Sequence, residues 1–252
     1  MLIKKMVAAA AVACVLAGAS LPTLAETLRV GSETVYPPFE FLDSQSGKYA
    51  GFDIDLFDAM AKKGGFTYKI RSMGLDALLP ALMTNSIDVA LSALTITPER
   101  SKKVDFTKSY YKSGLEIMTH KDYAPHVKGV KDLKGKTLCA EIGSAGALYS
   151  SKIPGVKVRT FNSAAEAFLE INQKGCYAII NDKPVNEYFL TQKAGKSMSL
   201  TTVPGLLSRD DYGIAVKKGN KKLKARLEKA YDAVVADGTY QKIYEKWFGK
   251  QQ

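Results

Sequence analysis

The stretch Ser92-Ala93-Leu94-Thr95-Ile96-Thr97-Pro98-Glu99-Arg100 decides the reading of this chain. Leu91 to Ile96 is apolar and β-prone and reads as a strand. Thr97 then serves as an N-cap, Pro98 suits the first helical position, and Glu99 is the acidic residue a first turn favours. Arg100 breaks the pattern, because a cation opposes the helix dipole at that end. A bound anion resolves the conflict: a guanidinium beside the free N–H groups of a helix N-terminus, at the carboxyl end of a strand, forms a carboxylate or phosphate clamp. The other reading is a solvated arginine in the basic run Arg100 to Lys103, and the stretch alone does not choose between them.

Upstream, Thr27 to Gly31 alternates as a strand and runs into Ser32-Glu33-Thr34-Val35-Tyr36-Pro37-Pro38-Phe39-Glu40-Phe41, where two prolines forbid regular structure. A loop at the carboxyl end of a first strand is a usual ligand position, which makes Glu33 and Tyr36 candidates, with packing under the loop the alternative for Tyr36. Asp53 reads as the N-cap of a helix that ends at Gly64-Gly65, Phe66 to Ile70 as a strand, Leu75 to Met83 as a helix and Ile87 to Thr95 as a strand. This β-α-β-α-β order, with helices of crossover length, predicts a parallel sheet. Downstream, after Leu115 to Met118, the alternation restarts. Strands fall at Thr137 to Ala140, Val156 to Phe161 and Tyr177 to Ile180, with helices opening at Gly143-Ser144-Ala145-Gly146 and spanning Ala164 to Ile171. A second sheet follows, then the strand Ile214 to Val216 and a long basic helix from about Leu223 to Val235.

Met1-Leu2-Ile3-Lys4-Lys5, an Ala- and Val-rich apolar run and a small residue at Ala25 read as a secretory signal peptide over residues 1–25. The run is short of the ~20 residues a membrane span needs, and Cys14 sits too early in it for lipid attachment. An exported chain with scattered lysines and a net charge of +11 reads as having a basic solvated exterior, not as a nucleic-acid binder. Cys139 and Cys176 remain after cleavage. Export permits a disulfide, but their unequal distances from Glu141 and Asp182 argue against one.

Enzyme and cofactor signatures are missing. Gly135-Lys136-Thr137 lacks the correctly spaced first glycine of a phosphate loop, Gly143 to Gly146 is no dinucleotide fingerprint, His120 and His126 have no metal-spaced partners, and no serine occupies a Gly-x-Ser-x-Gly elbow. No cofactor and no metal are expected. What remains is a set of charged residues at strand ends: Thr95 and Arg100 in the first half, Glu141 and Asp182 in the second. Arg100 on one side and Asp182 on the other suit a zwitterion, with Asp182 as a helix N-cap ahead of Lys183-Pro184 as the alternative. Charged hydrogen bonds contribute roughly 1.5 to 3 kcal/mol each, so a few support micromolar affinity, about 8 kcal/mol.

Six motifs in order then resemble the periplasmic polar amino-acid-binding proteins of ABC importers, the group of the glutamine and the lysine/arginine/ornithine/histidine binders. They are Tyr-Pro-Pro-Phe-Glu-Phe from Tyr36, Gly-Phe-Asp-Ile-Asp-Leu from Gly51, Thr-Ile-Thr-Pro-Glu-Arg from Thr95, Tyr-Tyr-Lys-Ser-Gly from Tyr110, Asn181-Asp182, and Gly-Thr-Tyr to Trp-Phe-Gly from Gly238. The resemblance implies an α/β fold of two lobes, each a mostly parallel sheet flanked by helices. Two hinge crossovers, near Ser113 to Ile117 and Asp211 to Ile214, would join them. Lobe one would hold residues 26–112 and 213–252, and lobe two residues 113–212. By position, Arg100 takes the α-carboxylate with Thr95 and the Ala93 backbone, Asp182 takes the α-ammonium, Tyr36 stacks on the ligand, and Ala145 is a further ligand-binding residue. Leu75 stands where relatives often carry a second aromatic, and Glu141 where the glutamine binder has a lysine. Glu141 with Glu33 makes the side-chain end acidic, favouring lysine, arginine or ornithine, with glutamine close behind. The expected partners are that amino acid and a membrane permease, with the protein a periplasmic monomer and not an enzyme. The alternatives are a cyclohexadienyl-type dehydratase using Glu141 as general acid, and a receptor sensor module, which the lack of a transmembrane or kinase segment disfavours.

Overall fold

The computed structural model describes residues 26–250, so the expected signal peptide lies outside the described residues. Two five-stranded sheets, each covered by helices, form two lobes. In the first the spatial order is Thr67–Ser72, Thr27–Ser32, Val89–Ala90, Ala215–Lys217, Val104–Phe106. The first three strands run parallel, joined by the helices Phe52–Gly64 and Leu75–Met83, and Ala215–Lys217 is antiparallel to both its neighbours. The second sheet repeats the scheme as Lys157–Phe161, Thr137–Glu141, Ala178–Asp182, Leu115–His120, Leu200–Val203. Here too the first three strands are parallel, with Leu115–His120 antiparallel between its neighbours. Helix faces carrying Phe52, Leu56, Phe57 and Met60, or Ala164, Ala167, Phe168 and Ile171, bury their apolar stripes against these sheets.

Two strands cross between the lobes as an antiparallel pair, Tyr111–Ser113 with Asp210–Tyr212. The first crossing begins two residues before the expected Ser113 to Ile117 and meets it at Ser113. Leu115–His120 already belongs to the second sheet, flanked by strands on both sides and buried throughout. Around the crossing Phe39 packs edge-on against Tyr111 and Tyr212, at centroid distances of 5.0 and 5.2 Å. Phe248, from the terminal helix Thr239–Phe248, lies 4.9 Å from Tyr111. Three of the motifs quoted above thus meet in one aromatic cluster that fixes the crossing strands.

Three local expectations need correction. The strand expected over Ile87 to Thr95, with Leu91 to Ile96 as its apolar end, is confined to Val89–Ala90. Ala93 turns the chain with φ 42°, and Thr95 and Ile96 pair instead with the crossing strand, Ile96 N–H donating to Asp211 O at 2.7 Å. Asp53 is not an N-cap. Gly51 holds that position at φ 132°, the first helical N–H groups donate to the carbonyls of Pro38 and Phe39, and Asp53 turns inward. Cys139 and Cys176 do form a disulfide, with Cα atoms 5.7 Å apart. Counting residues overstated their stagger, because Cys176 lies in the turn before the strand Ala178–Asp182 and not on an extended segment.

Candidate functional site

The carboxyl ends of the parallel strands in both lobes point at one cleft. Pairing of Thr27–Ser32 with its neighbours ends just where Glu33 leaves the sheet, and Tyr36 follows in the short strand Val35–Tyr36, which pairs antiparallel with Glu40–Leu42. The two prolines thus confine regular structure to either side of themselves and do not forbid it. The turn after Val89–Ala90 supplies Ala93 and Thr95, and the short helix Pro98–Lys103 supplies Arg100; the Thr97 hydroxyl accepts from Arg100 N–H at 3.1 Å, the expected cap. From the second lobe come Asp182, last residue of its strand, and Ala145, first residue of a helix capped by Ser144. The helix can sit there because Gly146 touches the strand: a Cβ at that position would lie 1.9 Å from Ile180 O.

Eight of the nine expected residues line this cleft: Glu33, Tyr36, Leu75, Ala93, Thr95, Arg100, Ala145 and Asp182. Glu141, the ninth, is 1% exposed and does not itself line the cleft, but its carboxyl lies against that of Glu33, which does. Leu75 opens the helix Leu75–Met83 and is half-buried. Ser92 and Ser144 also line the cleft and were not anticipated. Ser144 carries a readable signal, since a serine before a helix is a good N-cap. Ser92 carries none, because its role depends on the turn at Ala93.

Arg100 is 8% exposed and bridges the lobes. Its guanidinium donates to Thr95 O at 2.9 Å on its own lobe and to Gly143 O at 2.9 Å on the other. The solvated alternative is thereby removed. Burial lowers its pKa, opposed first by the negative charge of Asp182. A second bridge runs from Tyr36 OH to Asp182 Oδ2 at 2.6 Å, with Asn181 Oδ1 at 3.3 Å. Asp182 occupies the N-cap position of the helix Lys183–Thr191 yet makes no cap hydrogen bond, so its carboxylate serves the cleft. Burial raises its pKa, against the hydrogen bonds from Tyr36 and Tyr212.

Beneath the cleft lies a polar layer the sequence did not announce. Glu33 N–H donates to Ser92 Oγ at 3.0 Å, and Ser92 Oγ–H donates to Glu40 Oε1 at 2.8 Å. Asp53 Oδ2 accepts from Ala93 N–H at 3.0 Å and from Tyr110 OH at 2.8 Å. Asp53 and Glu40, both fully buried, therefore hold the turn that carries Ala93 and Thr95. One expectation changes: the Ala93 N–H is taken by Asp53, and what Ala93 has to give the cleft is its carbonyl, an acceptor. Among the described residues no group of three or more His, Cys, Asp or Glu is placed to hold a metal ion, and no helix is long and apolar enough to cross a membrane.

Two lobes with opposed strand ends, joined by an antiparallel pair of crossings and carrying a cation and a carboxylate on facing walls, define a two-lobed small-molecule binding protein. The chain belongs to the bacterial extracellular solute-binding proteins, family 3, whose model matches residues 28–250. It is 36% identical to the ABC transporter arginine-binding protein 1 of Escherichia coli (strain K12) over 97% of this chain and 99% of that one. Its fold matches an ancestral arginine-binding protein bound to arginine, with TM-score 0.83, 41% identity, and 88% of this chain and 98% of that one covered. It also matches an ancestral arginine-binding protein bound to glutamine, with TM-score 0.83, 41% identity and coverage of 89% and 98%.

Proposed function

We propose that the protein captures a polar L-amino acid with a cationic side chain, arginine first and then lysine or ornithine, between its lobes and delivers it to a membrane permease of an ABC importer. Residues 26–112 with 213–252 would form one lobe and 113–212 the other, closing by hinge bending at the crossing strands. The observation that carries the reading is the disposition of charge in the cleft. Arg100 and Asp182 come to the cleft from opposite lobes, and the buried carboxyls of Glu33 and Glu141 lie together beside them. In this reading Arg100 and Thr95 take the α-carboxylate, Asp182 and the Ala93 carbonyl take the α-ammonium, and Tyr36 packs on the ligand while orienting Asp182. Leu75 and Ala145 supply apolar wall, and Glu33 and Glu141 receive the guanidinium or ammonium. Export through residues 1–25 would set the protein free outside the cytoplasm, acting as a monomer. The relatives' names and the arginine- and glutamine-bound structures support this reading.

Thermal denaturation with each of the twenty amino acids, ornithine and citrulline tests it, since a ligand that binds only the native state raises the midpoint. The expected result is the largest rise with arginine, lysine or ornithine. A rise with glutamine alone retires the cationic reading, and no rise with any of them retires amino-acid capture. A protonated Glu141 also suits a general acid, so the dehydratase reading is checked by incubating the protein with prephenate or arogenate; turnover would establish it.

A further inference from the structure

Glu33 and Glu141 form an arrangement that holding a zwitterion does not require. Glu33 follows the strand Thr27–Ser32 of one lobe, Glu141 ends the strand Thr137–Glu141 of the other, and their carboxyls meet within hydrogen-bonding reach across the boundary. They are 4% and 1% exposed. Oε1 of Glu33 and both side-chain oxygens of Glu141 have no hydrogen-bond partner among the described residues. The charged and titratable groups facing the pair are Glu40 on the Glu33 side, and Asp182, Tyr36 and Arg100 on the Glu141 side. Arg100 is the one cation among them, and its two described side-chain hydrogen bonds go to the carbonyls of Thr95 and Gly143. Two buried carboxyls in contact cannot both ionise at acceptable cost, so either a proton lies between them or a cation does.

We propose that Glu33 and Glu141 are a proton-sharing specificity pair. A ligand whose side chain carries a guanidinium or ammonium displaces the shared proton to solvent as it enters, whereas a neutral side chain leaves that proton in place. One positive charge replaces another, so the buried pair is never left as two bare anions. This rests on the amino-acid capture proposed above and adds a consequence that capture alone lacks: affinity for a cationic ligand is linked to pH through this pair. Burial raises both carboxyls, and for Glu141 the neighbouring Glu33 charge adds to it. Cation binding therefore strengthens as pH rises above the usual carboxylate titration at about 4 and levels off once the pair has lost its proton. A neutral ligand should have the flatter profile.

Isothermal titration of the purified protein with arginine and with citrulline, each in two buffers of different ionisation enthalpy between pH 6 and 8, counts the protons released. Citrulline keeps the length of arginine and carries a neutral urea, so protons shed by Asp182 or the ligand's own α-groups cancel in the comparison. Arginine should release about one proton more than citrulline, and each such proton makes its affinity rise about tenfold per pH unit, by linkage. Glu141→Gln, which offers Glu33 an amide donor without a shared proton, should abolish the difference. Equal release by both ligands overturns the proposal while leaving amino-acid capture intact. If citrulline does not bind, glutamine replaces it, and if no neutral ligand binds, a rise of arginine affinity with pH that Glu141→Gln flattens supports the pair, whereas a flat profile or a rise that Glu141→Gln leaves unchanged overturns it. No heat from arginine, lysine or ornithine removes the underlying reading and the pair with it.

Discussion

Replacing Arg100 by alanine tests the anion clamp directly. The guanidinium is nearly buried, sits 2.9 Å from carbonyls on both lobes and has Asp182 as its strongest negative neighbour. A carboxylate between the lobes would accept two charge-assisted hydrogen bonds from it. At roughly 1.5 to 3 kcal/mol each, their loss amounts to about 3 to 6 kcal/mol, and at about 1.4 kcal/mol per tenfold the dissociation constant should rise between about a hundredfold and ten-thousandfold. Arg100→Lys keeps a point charge but not the fork, and should fall between wild type and Arg100→Ala. Isothermal titration with arginine gives the constants, and circular dichroism checks that each variant is folded. The lobe-bridging bond to Gly143 is lost too, so Arg100→Ala should bind every ligand worse, with no change in their order of preference. Binding by folded Arg100→Ala within about threefold of wild type would mean that Arg100 is a strut between the lobes and touches no ligand.

The disulfide closes a loop with a sequence separation of 37, so converting both Cys139 and Cys176 to alanine should cost about 4 kcal/mol in urea unfolding; a loss below about 1 kcal/mol would show the bridge to be stabilising nothing. Gly146→Ala places a methyl 1.9 Å from a backbone carbonyl, and the helix Ala145–Ser150 must back away from its strand. A destabilisation of about 1 to 3 kcal/mol is expected, and an unchanged midpoint in thermal denaturation refutes the contact. Burial first, then the charge of Asp53, holds Glu40 above the usual carboxylate range, and burial raises Asp53. The folded protein thus keeps protons that the unfolded chain releases above about pH 4, and their contribution to stability is lost as pH rises through the neutral range. Glu40→Gln should flatten the pH dependence of unfolding by up to about 1.4 kcal/mol per pH unit; an unaltered slope would place the proton elsewhere.

Most secondary structure was legible because it rests on local causes. The helix Leu75–Met83 was read from its apolar period to both ends, and the cap at Thr97 from three adjacent residues. Where the reading failed, a distant contact had overridden a local signal. Asp53 looks like a cap until Pro38 and Phe39 carbonyls arrive to do the capping, and Leu91 to Ile96 looks like a strand until the crossing strand at Asp211 takes its second half. Cys176 lies close to Cys139 because a turn, invisible to residue counting, folds it back.

By itself the sequence determined the alternation of strands and helices, the two sheets it implies, the placing of Glu33, Glu141 and Asp182 at strand ends or just beyond them, and the placing of Arg100 in the helix that Thr97 caps. Those follow from periodicity, capping and the rule that ligands gather at the carboxyl ends of parallel strands. Tertiary structure alone decided which residues face one another. Tyr36 reaches Asp182 across 146 positions of chain, Arg100 reaches Gly143 across 43, and Glu33 meets Glu141. It also decided that Glu40 and Asp53 lie beneath the cleft as buried acids. A carboxylate's protonation and its partners depend on what shuts out water around it, and that is set by packing between segments far apart in the chain.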